Sequence, residues 1–130
     1  MVRYRTRQHG LTKASVLGLR NLSKIGEFQK VSGYRKNVRR LFSSGWFKLT
    51  QEFVKVVGTN GTATFSGFLW GYGGSGPCGL VQLLIKLGLE KEKAEDIAFN
   101  TPRLSTVGVD WSYDFNSKTL ERANALQQNS

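Results

Sequence analysis

The sequence predicts an α+β fold in which a small antiparallel sheet packs against a central helix at residues 77–88, with short flanking helices. Three observations lead to this prediction. Several short segments alternate apolar and polar residues, as half-buried strands do. An Asn-Gly pair at 60–61 indicates a hairpin. Pro77 precedes leucines at helical spacing. A length of 130 residues predicts a single domain covering 1–130.

Two strands are predicted near the N-terminus. Residues 2–8 alternate with period two, residues 13–20 resume a strand pattern, and His9-Gly10 between them suits a hairpin turn. The first strand would carry a stripe of bases on one face. This stripe either contacts phosphate or forms a solvated edge that prevents aggregation. Its members are Arg3, Arg5 and Arg7.

The stretch at about 23–50 is the least regular part of the chain and is interpreted as a basic insertion. Val38, Leu41 and Phe42 have the spacing of one helix face, which predicts a short basic amphipathic helix. Phe42 and Phe47 are expected in the core. Four bases of this stretch are expected to be exposed and available to a partner: Arg35, Lys36, Arg39 and Arg40.

The clearest hairpin joins predicted strands at 51–57 and 62–70. They flank Gly58-Thr59-Asn60-Gly61, and an Asn-Gly pair favours positive φ at both central positions of a hairpin turn.

A helix then begins at Pro77 and ends before Gly88, with one buried stripe comprising Leu80, Leu83, Leu84 and Leu87. These leucines are expected to be buried together with Trp70 and Trp111. A second helix near 90–99 would turn Ala94, Ile97 and Ala98 inward and end at Asn100-Thr101-Pro102.

Residues 109–115 alternate as a last strand, in which Asp110 and Asp114 are expected to face solvent. The tail at 117–130 is predicted to be weakly helical and frayed.

A glycine-rich stretch, FLWGYGGSGP at 68–77, lies between the second hairpin and the first long helix. Backbone N–H groups of such a turn, together with the helix N-terminus, form an anion site. The structural alternative is a tight corner where only glycine fits. The stretch lacks the lysine of a phosphate-binding P-loop. The residues of this candidate anion or nucleotide site are Trp70, Tyr72, Gly73, Gly74, Ser75 and Gly76.

Charge is the strongest global signal. The net charge is +10, and residues 1–50 hold twelve bases against Glu27, a formal +11. The remaining seven bases and eight acids sum to −1. Such one-sided charge predicts a polyanionic partner, which is nucleic acid, an anionic membrane or an acidic protein face. Of these we expect nucleic acid, either DNA or RNA, or a nucleoprotein complex. No apolar run is long enough to span a membrane.

Few side chains suit catalysis or metal binding. The chain has one cysteine, Cys78, and one histidine, His9, too few for a disulfide framework or a zinc site. Cys78 is interpreted as a small apolar residue in the first helical turn. No carboxylates are paired at a catalytic spacing. We therefore predict no enzyme, no metal and no cofactor.

The signature F-x-W-G-Y-G-G-S-G-P followed by a Leu-rich helix resembles a small uncharacterised family from phages and bacterial mobile elements. Shorter matches follow the same order, RYR at 3–5, VLGLRNL at 16–22 and the segment around Trp111, whereas residues 23–63 depart from it. The resemblance implies a phage or plasmid setting and the cytoplasm of a bacterial or phage-infected host cell. It implies no activity and no site.

Two functional hypotheses remain. In the first, a non-enzymatic basic protein grips nucleic acid, or inhibits a host-defence complex that handles nucleic acid. Its contacts would be Arg35, Lys36, Arg39 and Arg40, with Arg3, Arg5 and Arg7 as a second stripe. In the alternative, the protein sequesters a nucleotide, with a base on Trp70 or Tyr72 and phosphate in the nest at 73–76.

Overall fold

The computed structural model describes residues 2–6, 22–66, 68–71, 75–102 and 107–123, with only the backbone described for 2–6, 75 and 76. Six strands, one 3₁₀ helix and two α-helices make up these residues. In chain order they are β1 (Val2–Thr6), the 3₁₀ helix (Leu22–Ile25), β2 (Phe28–Phe42), β3 (Gly45–Gly58), β4 (Gly61–Ser66), α1 (Ser75–Leu87), α2 (Lys91–Asn100), β5 (Gly108–Asp114) and β6 (Thr119–Arg122).

The six strands form one sheet in the order β1-β4-β3-β2-β5-β6. All neighbours are antiparallel except β1 and β4, which run parallel with Val2 opposite Gly61 and Thr6 opposite Phe65. The two longest strands, β2 and β3, occupy the centre. The sheet is therefore the dominant element of the described chain.

The predicted architecture, a small antiparallel sheet packed against a central helix at 77–88, is wrong. The sheet is large and mixed, and the helix expected at its centre has its close backbone neighbours in α2. The error arises at 28–50, where the sequence suggests an irregular insertion. This stretch supplies β2 and half of β3, but much of it is exposed on both faces, so it lacks the alternation that normally indicates a strand.

The expected buried helix residues are confirmed. Leu80, Leu83, Leu84 and Leu87 of α1 are buried, as are Ala94, Ile97 and Ala98 of α2. Trp70 and Trp111 are fully buried and meet edge to face, with ring centroids 6.0 Å apart. Gly88 ends α1 with a φ of 110°, a left-handed conformation that glycine adopts readily.

The two faces of the central strands differ in burial. Val31, Gly33 and Val54 are buried on one face, where the indole of Trp111 lies so close to Gly33 that a Cβ there would collide with it. Most side chains on the opposite face are half-buried or exposed, among them Tyr34 and Phe53. We call this second face of β2, β3 and β4 the outer face.

The β3–β4 hairpin is confirmed, but its turn differs from the predicted one. Asn60 does not have positive φ; within the described ranges Lys118 is the only non-glycine residue that does. Backbone N–H groups of Thr59 and Asn60 instead donate to the carbonyl oxygens of Glu27 and Ile25, at 2.9 and 2.7 Å. Hydrogen bonds to residues outside the hairpin therefore set the backbone conformation of the turn. The preference of an Asn-Gly pair for positive φ does not set it.

The chain ends differ from expectation, whereas the second helix and the strand that follows it agree with it. β1 pairs with β4, whereas the segment expected to pair with it, 13–20, lies outside the described residues. The second helix ends at Asn100 before Pro102, and β5 forms at Gly108–Asp114, as predicted. The tail predicted to be helical from 117 contains β6 instead, and 124–130 lie outside the described residues.

Arg122 of β6 attaches this last strand to α2. Its guanidinium donates to Oδ2 of Asp96 at 2.8 Å, to the carbonyl oxygen of Asp96 at 2.9 Å and to Oγ1 of Thr101 at 3.1 Å. The Asn100 amide, which donates to Asp96 Oδ1 at 3.0 Å, and the Arg122 guanidinium hold the pKa of Asp96 below its usual 3.8.

This lowered pKa predicts an acid-sensitive contribution to stability. The contribution is present above the unfolded-state pKa near 3.8 and is lost as the pH falls through the lower folded-state pKa. Asp96→Asn should therefore lower the free energy of unfolding near neutral pH, by less than about 1 kcal/mol because the pair is partly exposed. The difference should shrink at about pH 2. Urea unfolding at both pH values checks this, and parallel pH curves for the two proteins would contradict it.

Candidate nucleic-acid interface

The central hairpin extends well beyond the sheet. β2 pairs with β5 only through Lys30–Arg35, and β3 pairs with β4 only through Phe53–Val57. Beyond these points the two strands, within the described part of the chain, pair only with each other, from Lys36 opposite Gln51 to Phe42 opposite Gly45. We call residues 36–51 the arm. Its seven residue pairs correspond to a length of roughly 23 Å.

A tight turn closes the arm. Ser43 and Ser44 form it, and Gly45 follows with a φ of 124°. The predicted amphipathic helix in this stretch is wrong. The spacing of Val38, Leu41 and Phe42 does fit a helix face, but the Ser-Ser-Gly turn brings a second strand alongside, and paired strands satisfy the backbone of both.

The arm is strongly basic and has no counter-charge of its own. It contains no Asp or Glu between residues 36 and 51, giving a formal +4. All four bases are exposed: Lys36, Arg39, Arg40 and Lys48. Three of these are predicted partner-binding residues. Lys48 belongs to the same basic stretch but is not among the residues predicted for the site.

Large apolar side chains on the arm are also exposed. Leu41 and Trp46 are 64% and 60% exposed, and Phe42, Phe47 and Leu49 are exposed as well. The prediction that Phe42 and Phe47 belong to the core is wrong, because the arm extends past the elements that would cover them. Several large apolar side chains exposed on one element, here on its two faces, often indicate an interaction site.

Strand register distributes bases and rings over both faces of the arm, since directly opposed residues share a face. Arg40 and Phe47 lie on the outer face, where Arg40 Nη2 donates to Oε1 of Gln51 at 2.7 Å. Arg39 and Trp46 lie on the other face, with the guanidinium 5.4 Å from the ring centroid. Each face therefore combines a cation with an aromatic ring.

Arg35 does not belong to this surface, and the prediction that it is exposed is wrong. Its side chain is buried, and its Nε lies 3.1 Å from Oδ2 of Asp110. Trp70 Nε1 donates to the same oxygen at 2.8 Å. Asp110 was expected to face solvent, but the register shift between Gly33 and Tyr34 makes it an extra residue in β5. Its carboxylate is buried at the base of the arm.

The arm continues into a cleft on the outer face of about 260 Å³. Tyr34 and Phe53 stack at its floor, with ring centroids 5.5 Å apart. The ammonium of Lys36 lies 5.3 Å from the Phe53 ring centroid. Phe53 is not among the predicted site residues. The alternation of 51–57 could have identified it, because that pattern places Phe53 and Lys55 on one face.

Other predicted site residues lie elsewhere. Arg7 and the Tyr72–Gly74 segment lie outside the described residues, and of Arg3, Arg5, Ser75 and Gly76 only the backbone is described. Trp70 is fully buried and its indole N–H donates a hydrogen bond to Asp110, so it offers no ring face to a nucleotide. Cys78 is in the first turn of α1, as predicted, and is exposed.

The described residues hold neither a metal-binding cluster nor a membrane-spanning helix. No group of their His, Cys, Asp and Glu side chains is arranged to hold a metal ion. None of the helices in the described ranges combines the length and the apolar character needed to cross a membrane.

The chain matches no protein-family model, no curated protein and no solved structure. A function is therefore inferred from the arm and the outer face themselves.

Proposed function

We propose that the protein is a non-enzymatic nucleic-acid-binding protein and that the arm is its main contact element. The observation that carries this proposal is the composition of the arm. A two-stranded ribbon extends past the sheet with four exposed bases, no acid and several exposed apolar and aromatic side chains. A polyanion with stacked rings is the partner that matches both features.

The dimensions of the arm support this proposal. A two-stranded β-ribbon fits the major groove of B-form DNA, which is roughly 12 Å wide. A length of roughly 23 Å would reach across several base pairs. With cations on both faces, the arm can contact phosphates on both walls of a groove. Phosphate contacts of this kind supply affinity without sequence preference.

The wider setting stays a prediction. A phage or plasmid origin and a cytoplasmic location are inferred from the resemblance of the glycine-rich signature. A nucleoprotein complex of host defence is compatible with the same surface, because such complexes display nucleic acid. No catalytic step enters the proposal.

A salt titration tests the proposal. Binding to labelled DNA duplex, single-stranded DNA and RNA is measured by fluorescence anisotropy at several salt concentrations. We expect the logarithm of the affinity to fall linearly with the logarithm of salt, with a slope of about −3 to −4 on duplex if all four bases contact phosphate. Binding that is absent or indifferent to salt would contradict the proposal.

Trp46 offers a built-in reporter of the contact surface. It is 60% exposed, whereas Trp70 and Trp111 are fully buried. Nucleic acid should therefore quench mainly the emission of Trp46, and Trp46→Phe should remove most of the quenching while the fold persists. Quenching that survives this substitution would place the binding surface away from the arm.

A further inference from the structure

The cleft on the outer face is lined partly by residues of the arm and partly by neighbouring residues of the sheet. Its walls combine aromatic rings, cations and hydroxyl groups, and none of the described residues that line it is acidic. Tyr34 and Phe53 supply the rings, and Lys36, Arg39 and Arg40 are the basic residues that line it. Thr64 of β4 supplies a hydroxyl group at the opposite side.

We propose that this cleft binds one unpaired base of a single-stranded nucleic acid, with the adjoining phosphate held by Lys36 and Arg40. This inference rests on the proposed function and specifies which form of nucleic acid the outer face takes. A duplex keeps its bases stacked inside and presents no ring to the floor of the cleft. A single strand presents rings and phosphates together, and proteins bind it by stacking its bases on aromatic side chains in a basic groove.

The size of the cleft agrees with one base. Its volume of about 260 Å³ lies below the roughly 300–1,000 Å³ of most small-molecule sites. Its position agrees as well, because residues of the arm form part of its lining. A strand leaving the cleft along β2 would pass Arg40 and reach the exposed ring of Phe47 opposite it.

Lys36 has to move for a base to stack on Phe53. In the unbound protein its ammonium covers one side of that ring, while Tyr34 stacks on the ring as a cross-strand neighbour. Lys36 is exposed, and a lysine carries its charge on a flexible four-carbon stem. An exposed cation–π contact is weaker than base–aromatic stacking. A base can therefore replace the ammonium, which then turns to the phosphate of the same nucleotide.

The test compares single strands with a duplex. Labelled oligo(dT) and oligo(rU) of about 12 nucleotides, within the site sizes of single-strand binders, are measured beside a duplex at one salt concentration. Phe53→Leu should weaken single-strand binding about 10-fold and leave duplex binding within about twofold, because the duplex contacts the arm. Phe53→Tyr keeps a ring and should restore single-strand affinity. The two oligonucleotides distinguish DNA from RNA.

A second variant avoids the floor of the cleft altogether. Thr64→Glu places a negative charge at its wall and should also weaken single-strand binding about 10-fold through repulsion of phosphate. Thr62→Glu is the matched control, because Thr62 lies two residues along the same strand face and does not line the cleft. It should leave the affinity within about twofold.

The possible failures are distinguishable. If the wild-type protein binds neither single strands nor duplex, both the proposed function and this inference are overturned. If it binds them but Phe53→Leu and Thr64→Glu match the wild type on single strands, the inference is overturned and the proposed function stands. If both variants weaken duplex binding equally, the cleft has no preference for an unpaired base, and the inference is overturned.

Discussion

Replacing Arg39, Arg40 and Lys48 by glutamine should weaken binding to duplex DNA by about two orders of magnitude near physiological salt, and leave the fold intact. The three side chains lie on the arm, are exposed, and have no acid near them in the arm sequence. Under the proposed function, phosphate is the group that neutralises them. Each phosphate interaction that is removed should also make the salt slope less steep by about one, and the triple variant by about three.

Stability should respond little to the same change. Exposed charges typically contribute less than about 1 kcal/mol each, and the four bases of the arm repel one another. The triple variant also removes the hydrogen bond from Arg40 to Gln51, which is exposed. The midpoint of urea unfolding should therefore stay near that of the wild type. A large drop in stability would mean that these side chains support the folded core. The loss of affinity would then not show that they contact phosphate.

The matched control removes the same net charge elsewhere. Lys86 of α1, Lys91 of α2 and Lys118 before β6 are exposed and lie outside the arm. Lys91 is within 3.8 Å of Glu95, but this pair is exposed and contributes little. Their triple replacement by glutamine should change duplex affinity by less than about threefold. Equal losses of affinity in the two triple variants would show that net charge, and not the arm, attracts nucleic acid.

Local signals predicted the parts of the fold that depend on neighbours in sequence. The leucine spacing and Gly88 identified α1 and its buried stripe, and the alternation at 109–115 identified β5. In α1 one face is buried and the other is solvated, so the apolar residues of the sequence recur with the helical period. The presence of the β3–β4 hairpin was predictable for a similar reason, since both of its strands alternate.

Features that depend on distant partners were not predictable. Neither segment has a sequence pattern that indicates the parallel pairing of β1 with β4. Gly33 is required because the indole of Trp111 lies against it, and nothing near Gly33 in sequence indicates that contact. The arm escapes prediction for a related reason. Its residues are exposed on both faces, so the spacing of its apolar residues does not follow burial. No strand-like alternation was therefore present to oppose the helical spacing of Val38, Leu41 and Phe42.

The candidate site shows the same division. Composition alone located Lys36, Arg39 and Arg40 in an acid-free basic stretch, and the structure places them on one exposed element. Composition also included Arg35, which has the same local surroundings in sequence. Only the position of Asp110 at a bulge in β5 separates the buried arginine from its exposed neighbours.

That buried pair leads to the largest expected effect on stability. Asp110→Ala should lower the free energy of unfolding by about 3–5 kcal/mol, because it leaves the buried charge of Arg35 without its partner. The indole N–H of Trp70 also loses its acceptor. A decrease of this size is a large share of the roughly 5–15 kcal/mol by which domains are stable. Urea unfolding with intrinsic fluorescence measures it.

A double variant separates the cost of an unpaired charge from the value of the pair. Within the described part of the chain, Nη2 of Arg35 and Oδ1 of Asp110 are buried without a hydrogen-bond partner, so the pair is only partly satisfied. Replacing both residues with apolar ones, Arg35→Met and Asp110→Leu, removes both buried charges at once. Such exchanges are often neutral or better, and the double variant should be at least about 2 kcal/mol more stable than Asp110→Ala.

The binding behaviour of these variants distinguishes Arg35 from the arm bases. Arg35 lies at the base of the arm but is buried, so its replacement removes no phosphate contact. The double variant should therefore bind duplex DNA with a salt slope equal to that of the wild type, in contrast to the reduction by about three expected for the arm variant. A slope reduced by about one in the folded double variant would show that Arg35 reaches phosphate in the complex. That result would require the Arg35–Asp110 pair to open on binding.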